Sequence, residues 1–105
     1  MKLLVVTSLK EFQKNVADML HRSGIEVFSV SETIGFKDHQ ATNLLDNWFS
    51  SGSEYFDSIF LFSFTQEEKA VHALELIKKY NDENATGFPI RGFIIPVDKT
   101  SYTST

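Results

Sequence analysis

The fold of this chain is decided by the stretch Val30–Phe36, whose sequence is VSETIGF. This stretch ends a predicted strand, and the next apolar strand, Ser58–Phe64, begins only after an interval without a sustained helix or strand pattern. Connections in a compact domain are mostly about four to six residues long, and much longer ones are usually functional or disordered. We therefore expect residues 36–56 to form a long functional loop.

The sequence before this loop predicts a strand, a helix and a second strand. Lys2–Val6 is an apolar strand, and Ile25–Ile34 is the second strand. Ser8 and Glu11 have the spacing of a capping box at a helix start, and Gly24 suits a helix C-terminus because it accepts positive φ. The helix between them has apolar residues at helical spacing, namely Phe12, Val16, Met19 and Leu20.

The sequence after the loop repeats this order. In Ser58–Phe64 three phenylalanines share one face of the strand, and Thr65 and Glu68 have the capping-box spacing again. Ile90–Val97 is the last strand, ending near Pro96, and residues 98–105 form a polar tail that we expect to be flexible. The second helix has an apolar stripe of Val71, Leu74, Ile77 and Tyr80.

The order of elements, βαββαβ, predicts an α+β ferredoxin-like fold with a four-stranded antiparallel sheet. Its 105 residues correspond to a single domain. In this architecture both helices cover one face of the sheet, and a solvated second face would carry alternating polar residues. Strands one, three and four are apolar on both faces instead, so we expect further copies of the chain to cover the second face in a closed homo-oligomer.

Composition excludes several classes of function. The chain has no cysteine, which excludes disulfides and thiolate chemistry. Its net charge is −4 and it has no basic run, so the ladder of Phe60, Phe62 and Phe64 favours core or subunit packing over stacking on RNA. No apolar run approaches the ~20 residues of a membrane span, so we expect a cytoplasmic protein without direct membrane insertion. No residues form a recognisable catalytic set, so we expect no enzymatic activity.

Residues 1 to about 97 resemble the PII signal-transduction proteins and their PII-like relatives. The resemblance implies a homotrimer with a ligand site in the cleft between subunits, at the base of a long T-loop, here residues 36–56. It further implies a regulator of a protein partner, such as a membrane transporter, and many PII-like proteins bind nucleotides. The resemblance depends on Met1–Val6, Gly24–Val27, the Gly-Phe end of Val30–Phe36, Thr86-Gly87 and Gly92–Val97.

The chain also departs from the PII pattern at the expected nucleotide site. Lys37 stands where PII proteins have a glycine, and His39 stands where a glutamine contacts the nucleotide. The glycine-rich loop is shortened to Phe88–Arg91, and Pro89 lacks the N–H that a phosphate-binding loop would offer. The effector therefore stays open between an adenine nucleotide and another small anion.

Six residues are candidates for the ligand site. Arg91 suits bidentate recognition of phosphate or carboxylate, and Lys37 would add a second positive charge. Gly35 would let the chain leave the strand, and Gly87 would let the backbone approach the ligand. The alternative for both cations is that they are ordinary surface charges. The full set is Gly35, Phe36, Lys37, His39, Gly87 and Arg91.

Asp38 and His39 are the weaker candidates for a metal site. Carboxylate and imidazole both bind divalent ions, but two sequence neighbours seldom converge on one ion without further ligands. A metal-responsive trimer similar to the CutA-type divalent-ion tolerance proteins, which share this architecture, is therefore the alternative function.

A short amphipathic segment lies inside the long loop. Its tryptophan is of the type that anchors protein partners, so the segment is a candidate docking site. It could equally fold back as a lid or pack locally. Its apolar residues are Leu44, Leu45, Trp48 and Phe49.

Overall fold

The structure is a computed structural model that describes the backbone of residues 1–38 and 53–101 and the side chains of residues 1–36 and 55–101. In this part of the chain neither helix is long and apolar enough to cross a membrane. The elements are β1 (Lys2–Leu9), a 3₁₀ turn (Lys10–Phe12), α1 (Gln13–Arg22), β2 (Ser29–Asp38), β3 (Ser53–Thr65), α2 (Glu67–Glu83) and β4 (Arg91–Pro96).

The four strands form one antiparallel sheet in the order β2-β3-β1-β4. The two βαβ halves therefore interleave, as the ferredoxin-like fold requires: β3 lies between β1 and β2, and β1 lies between β3 and β4. The predicted fold class is confirmed.

The core lies between one face of the sheet and the two helices. Leu4, Val6 and Leu61 project from the central strands β1 and β3 and are completely buried. Three residues of the predicted α1 stripe, Val16, Met19 and Leu20, are buried against them. The predicted α2 stripe is partly wrong. Val71 is exposed, and the buried line on α2 is formed by Ala70, Ala73 and Ile77.

Both predicted capping boxes are wrong, because strand pairing continues through them. Ser8 pairs with Ile59 inside β1, and its hydroxyl donates to the carbonyl oxygen of Leu9 at 3.0 Å. Thr65 is the last residue of β3, and α2 starts after Gln66 without a side-chain cap. The residue after each predicted cap takes the N-cap position instead, Leu9 before the 3₁₀ turn and Gln66 before α2, and neither makes a side-chain capping hydrogen bond.

The predicted C-cap at Gly24 is confirmed. Gly24 has φ +84°, a conformation that glycine adopts without a Cβ clash. Its N–H donates to the carbonyl oxygen of His21, and the N–H of Ile25 donates to that of Leu20, both at 3.0 Å. These two bonds form a Schellman motif and satisfy the last carbonyls of α1.

Strand β2 begins at Ser29 and not at the predicted Ile25, and both β2 and β3 extend further into the predicted loop than the sequence predicts. Their pairing continues from Gly35–Phe56 to Asp38–Ser53, so the ends of the predicted loop belong to a two-stranded ribbon. The rings of Phe36 and Tyr55 meet across it, edge to face, with centroids 4.9 Å apart. Cross-strand aromatic pairs of this kind stabilise antiparallel pairing. Residues 39–52 lie outside the described part of the chain.

The face of the sheet away from the helices is apolar, as predicted from the alternation in β3. Ile59 and Leu61 face the helices and are buried, whereas Phe60 and Phe64 project from the opposite face and are exposed. We call this opposite surface the open face. Its apolar side chains on the three strands β1, β3 and β4 are Leu3, Val5, Phe60, Phe62, Phe64, Phe93 and Ile95.

Candidate functional site

A cavity of about 430 Å³ lies at one end of the sheet, where β1 ends and β4 begins. The connection between α2 and β4 and the root of the β2–β3 ribbon complete its walls. Four of the predicted ligand-binding residues line this cavity, namely Gly35, Phe36, Gly87 and Arg91. Residues from three separate parts of the sequence therefore meet at one place.

Three further residues of the cavity were missed by the sequence reasoning. Phe56 is the cross-strand partner of Gly35, and Thr7 is the cross-strand partner of Arg91. Phe88 directly follows Gly87. All three line the cavity. An explicit pairing of the strands would have found Thr7 and Phe56, since each stands opposite a predicted site residue. The sequence carries no comparable signal for Phe88.

Aromatic contacts connect the α2–β4 connection to the ribbon. The ring of Phe56 covers Gly35 so closely that a Cβ atom at residue 35 would overlap the ring. The ring of Phe56 also contacts the ring of Phe88, at a ring-centroid distance of 5.0 Å and an interplanar angle of 55°. Phe56 therefore touches both walls of the cavity.

Hydrogen bonds fix the start of β4, where Arg91 lies. The side-chain amide of Asn81 donates to the carbonyl oxygen of Ile90 at 2.8 Å, and its oxygen accepts from the N–H of Ile90 at 3.0 Å. Ile90 itself is buried in the core. Earlier in the connection, the N–H of Phe88 donates to the hydroxyl of Thr86 at 3.0 Å. Arg91 thus projects from an anchored backbone.

The charges around the cavity differ in how they are paired. Arg91 is exposed, and no described carboxylate lies within salt-bridge distance of it. Lys10, at the rim of an adjoining hollow, forms a 2.9 Å salt bridge with Glu32. The hydrogen bond from Lys10 to Glu32 and the negative charge of Glu32 raise the pKa of Lys10 above the usual lysine value. Lys10 is therefore charged but already paired, whereas Arg91 is available to an anion.

The remaining candidates fall at or beyond the edge of the described chain. Lys37 pairs with Glu54 and Asp38 with Ser53 in the ribbon, but their side chains lie outside the description. His39 and the predicted docking residues Leu44, Leu45, Trp48 and Phe49 are outside it altogether. Among the described side chains no three His, Asp or Glu residues converge as metal ligands. The metal site stays a prediction.

Comparison with known proteins gives structural matches but no sequence matches. No protein-family model matches the chain, and no curated protein matches it. The structure is similar to that of Bacillus subtilis GlnK, with a TM-score of 0.70 and 11% sequence identity over 92% of this chain and 84% of that chain. It is also similar to a Thermus thermophilus protein described as a PII-like signaling protein, with a TM-score of 0.55 and 16% identity over 89% of this chain and 82% of that chain.

At these identities the similarity establishes the fold. The chain has the ferredoxin-like fold of GlnK and of the PII-like protein, and the predicted PII-like architecture is confirmed.

Proposed function

We propose that the chain is a non-catalytic, cytoplasmic regulatory protein of the PII type. It would act as a homotrimer whose cavity binds a small anionic effector and whose long loop controls a protein partner, such as a membrane transporter. The observation that carries this proposal is the position of the cavity. It lies between Arg91, which has no salt-bridge partner among the described residues, and the ribbon that leads to the loop.

The open face supports the proposed trimer. Phe64 and Phe93 are 55% and 51% exposed, and Ile95 is 44% exposed. Contiguous apolar surface of this kind on a small domain usually marks an interface. Each Å² of it removed from water contributes roughly 25 cal/mol, so covering several phenylalanines favours association strongly. Three copies related by symmetry would also enclose clefts at the edges of their sheets.

We expect the aromatic contacts to couple binding in the cavity to the conformation of the ribbon that leads to the loop. An effector that lies beside Phe88 favours some positions of that ring over others. Because Phe56 touches both Phe88 and Gly35, this preference extends to the start of the ribbon. An effector that binds one arrangement better shifts the population toward it. The partner would then meet the predicted docking residues, Leu44, Leu45, Trp48 and Phe49, in only one of the two arrangements.

Light scattering on the purified full-length chain tests the proposed assembly. We expect a particle of three times the 12.0 kDa chain mass at micromolar concentration. A 12.0 kDa monomer under the same conditions would contradict the proposal, because a monomer has no clefts between subunits.

A thermal-shift screen tests effector binding, since a ligand that binds only the native state raises the melting temperature. The screen includes adenine nucleotides, bicarbonate and divalent ions. We expect an anion to raise the melting temperature of the wild type and not that of Arg91→Ala. A shift produced by zinc or copper and abolished by His39→Ala would instead favour the metal-responsive trimer.

A further inference from the structure

The cavity also indicates the chemical class of its effector, an inference that rests on the function proposed above. We propose that it binds a flat organic anion with a single negative charge, such as an aromatic carboxylate, in preference to a nucleoside polyphosphate. Three features carry this inference: the supply of positive charge, the use of the backbone N–H groups, and the aromatic walls.

Positive charge is scarce among the described side chains that line the cavity. Among the described side chains that line it, Arg91 is the single cation. Lys10 lies nearby, but its salt bridge with Glu32 and the neighbouring charge of Asp57 offset it. A polyphosphate carries several negative charges, and each needs a cation or a cluster of donors when it leaves water. One arginine matches one negative charge.

The backbone N–H groups of Phe88 and Ile90, next to Arg91, are committed to other partners. The N–H of Phe88 donates to Thr86, and the N–H of Ile90 donates to Asn81. Pro89 has no N–H at all. A loop that cradles phosphate needs several successive N–H groups directed at the anion. The stretch Phe88–Ile90, next to Arg91, therefore cannot form such a cradle without giving up its own hydrogen bonds.

A carboxylate fits the polar end of the cavity. Thr7 and Arg91 are cross-strand partners in β1 and β4, so both project from the open face at the same point of the sheet. The planar guanidinium of Arg91 can donate two parallel hydrogen bonds to one carboxylate, and the Thr7 hydroxyl can donate a third. This arrangement recognises a single carboxylate.

A flat ring fits the apolar end. The rings of Phe56 and Phe88 meet where the two walls of the cavity join, with their planes inclined at 55° to each other. At Gly87 no heavy atom beyond the two neighbouring residues lies within 4 Å of the position that a Cβ would take, so a planar body has room against its backbone. Offset or edge-to-face contact with aromatic side chains favours a ring over an aliphatic chain of the same size. The cavity volume of about 430 Å³ is within the range of small-molecule sites.

Isothermal titration of the full-length protein tests the inference. The probes are benzoate, 4-hydroxybenzoate and cinnamate as aromatic carboxylates, with acetate, inorganic phosphate and adenosine triphosphate as comparators. We expect saturable binding of at least one aromatic carboxylate, with acetate and adenosine triphosphate at least about tenfold weaker. Arg91→Ala should weaken carboxylate binding about tenfold or more, because it removes a charged hydrogen-bonding partner.

Matched variants separate recognition from folding. Arg22→Ala removes another exposed arginine, one that pairs with Asp18 on α1, and should leave binding unchanged. Thr7→Val keeps the shape of the side chain but removes the hydroxyl, and should weaken every carboxylate, acetate included. Phe88→Leu should weaken the aromatic carboxylates while leaving acetate unaffected. Circular dichroism of each variant confirms that it is folded before titration.

Two results would overturn the inference while leaving the proposed function intact. One is adenosine triphosphate binding more tightly than every aromatic carboxylate and depending on Arg91. The other is a trimeric protein that binds no aromatic carboxylate. A monomeric protein would instead contradict the proposed function itself, and with it the inference.

Discussion

The ring of Phe56 occupies the space in which residue 35 would carry a side chain, and Gly35 is its direct partner across the ribbon. An aromatic ring placed over a cross-strand glycine covers backbone that would otherwise be open to water. The same ring contacts Phe88 in the α2–β4 connection. The Gly35–Phe56 pair is thus both a structural contact and one wall of the cavity.

We predict that Gly35→Ala destabilises the protein by about 1–3 kcal/mol, because the new methyl group forces the Phe56 ring out of its position. Urea unfolding measures the change. Gly87→Ala is the matched control, since a Cβ there meets open space, and it should shift stability by less than about 0.5 kcal/mol. In the double variant Gly35→Ala/Phe56→Leu, the two effects should be non-additive, because the residues are in contact. Equal effects of the two glycine variants would contradict this packing.

We predict that Phe93→Asp dissociates the proposed trimer. Phe93 lies on the open face and is 51% exposed in the single chain, so a charge there costs little in the monomer but would be buried without a partner in an interface. Light scattering should give a smaller particle. Val71→Asp is the control, because Val71 is also an exposed apolar residue, at 41%, but lies on α2, away from the open face. A trimer that survives Phe93→Asp would place the interface elsewhere.

We predict that Asn81→Ala destabilises the protein by about 1–3 kcal/mol, because it leaves both backbone groups of the buried Ile90 without their partner. Equilibrium unfolding in urea provides the measurement. Asn84→Ala also removes a side-chain hydrogen bond, to the carbonyl oxygen of Tyr80, but at an exposed position, and should cost less than about 1 kcal/mol. If the two variants cost the same, the anchoring of β4 by Asn81 is wrong.

We predict that Gly24→Ala lowers the free energy of unfolding by about 1 kcal/mol, because an alanine must adopt the positive φ of +84°. Steric overlap does not contribute, since the nearest atom to a Cβ at this position is in the Lys69 side chain, 3.5 Å away. Thermal unfolding measures the effect. A more stable Gly24→Ala protein would mean that α1 ends without the Schellman motif.

Much of the fold could be predicted because local pattern and tertiary structure agree in it. The alternation of Ile59 and Leu61 with three phenylalanines identified the two faces of β3, and Gly24 marked the end of α1. The wrong predictions occur where contacts between residues distant in sequence determine the local structure. Pairing between Phe36 and Tyr55 extends the ribbon into the predicted loop, and no local pattern in either strand shows that contact. Pairing with β3 similarly keeps Ser8 in a strand despite its helix-start spacing.

The candidate site shows the same division. Gly35, Phe36, Gly87 and Arg91 were found from the resemblance and do line one cavity. Phe88 was missed because only the folded chain brings the α2–β4 connection against the ring of Phe56. The line of α2 that contacts the sheet was also misjudged. It passes through Ala70 and Ala73, whose small side chains allow a close approach and contribute little to a hydrophobic pattern.

The exposed ribbon should open at a lower free energy than the rest of the domain. From Ile34 onward its side chains leave the helix layer, and Ile34, Phe36 and Tyr55 are all more than 60% exposed. An isolated two-stranded hairpin is marginally stable in water, so this end of the sheet should open far more often than the core beneath the helices. In hydrogen exchange, amides of the ribbon would lose their protection long before those of β1. A ligand or partner that orders or releases the ribbon therefore needs to supply far less free energy than global unfolding requires.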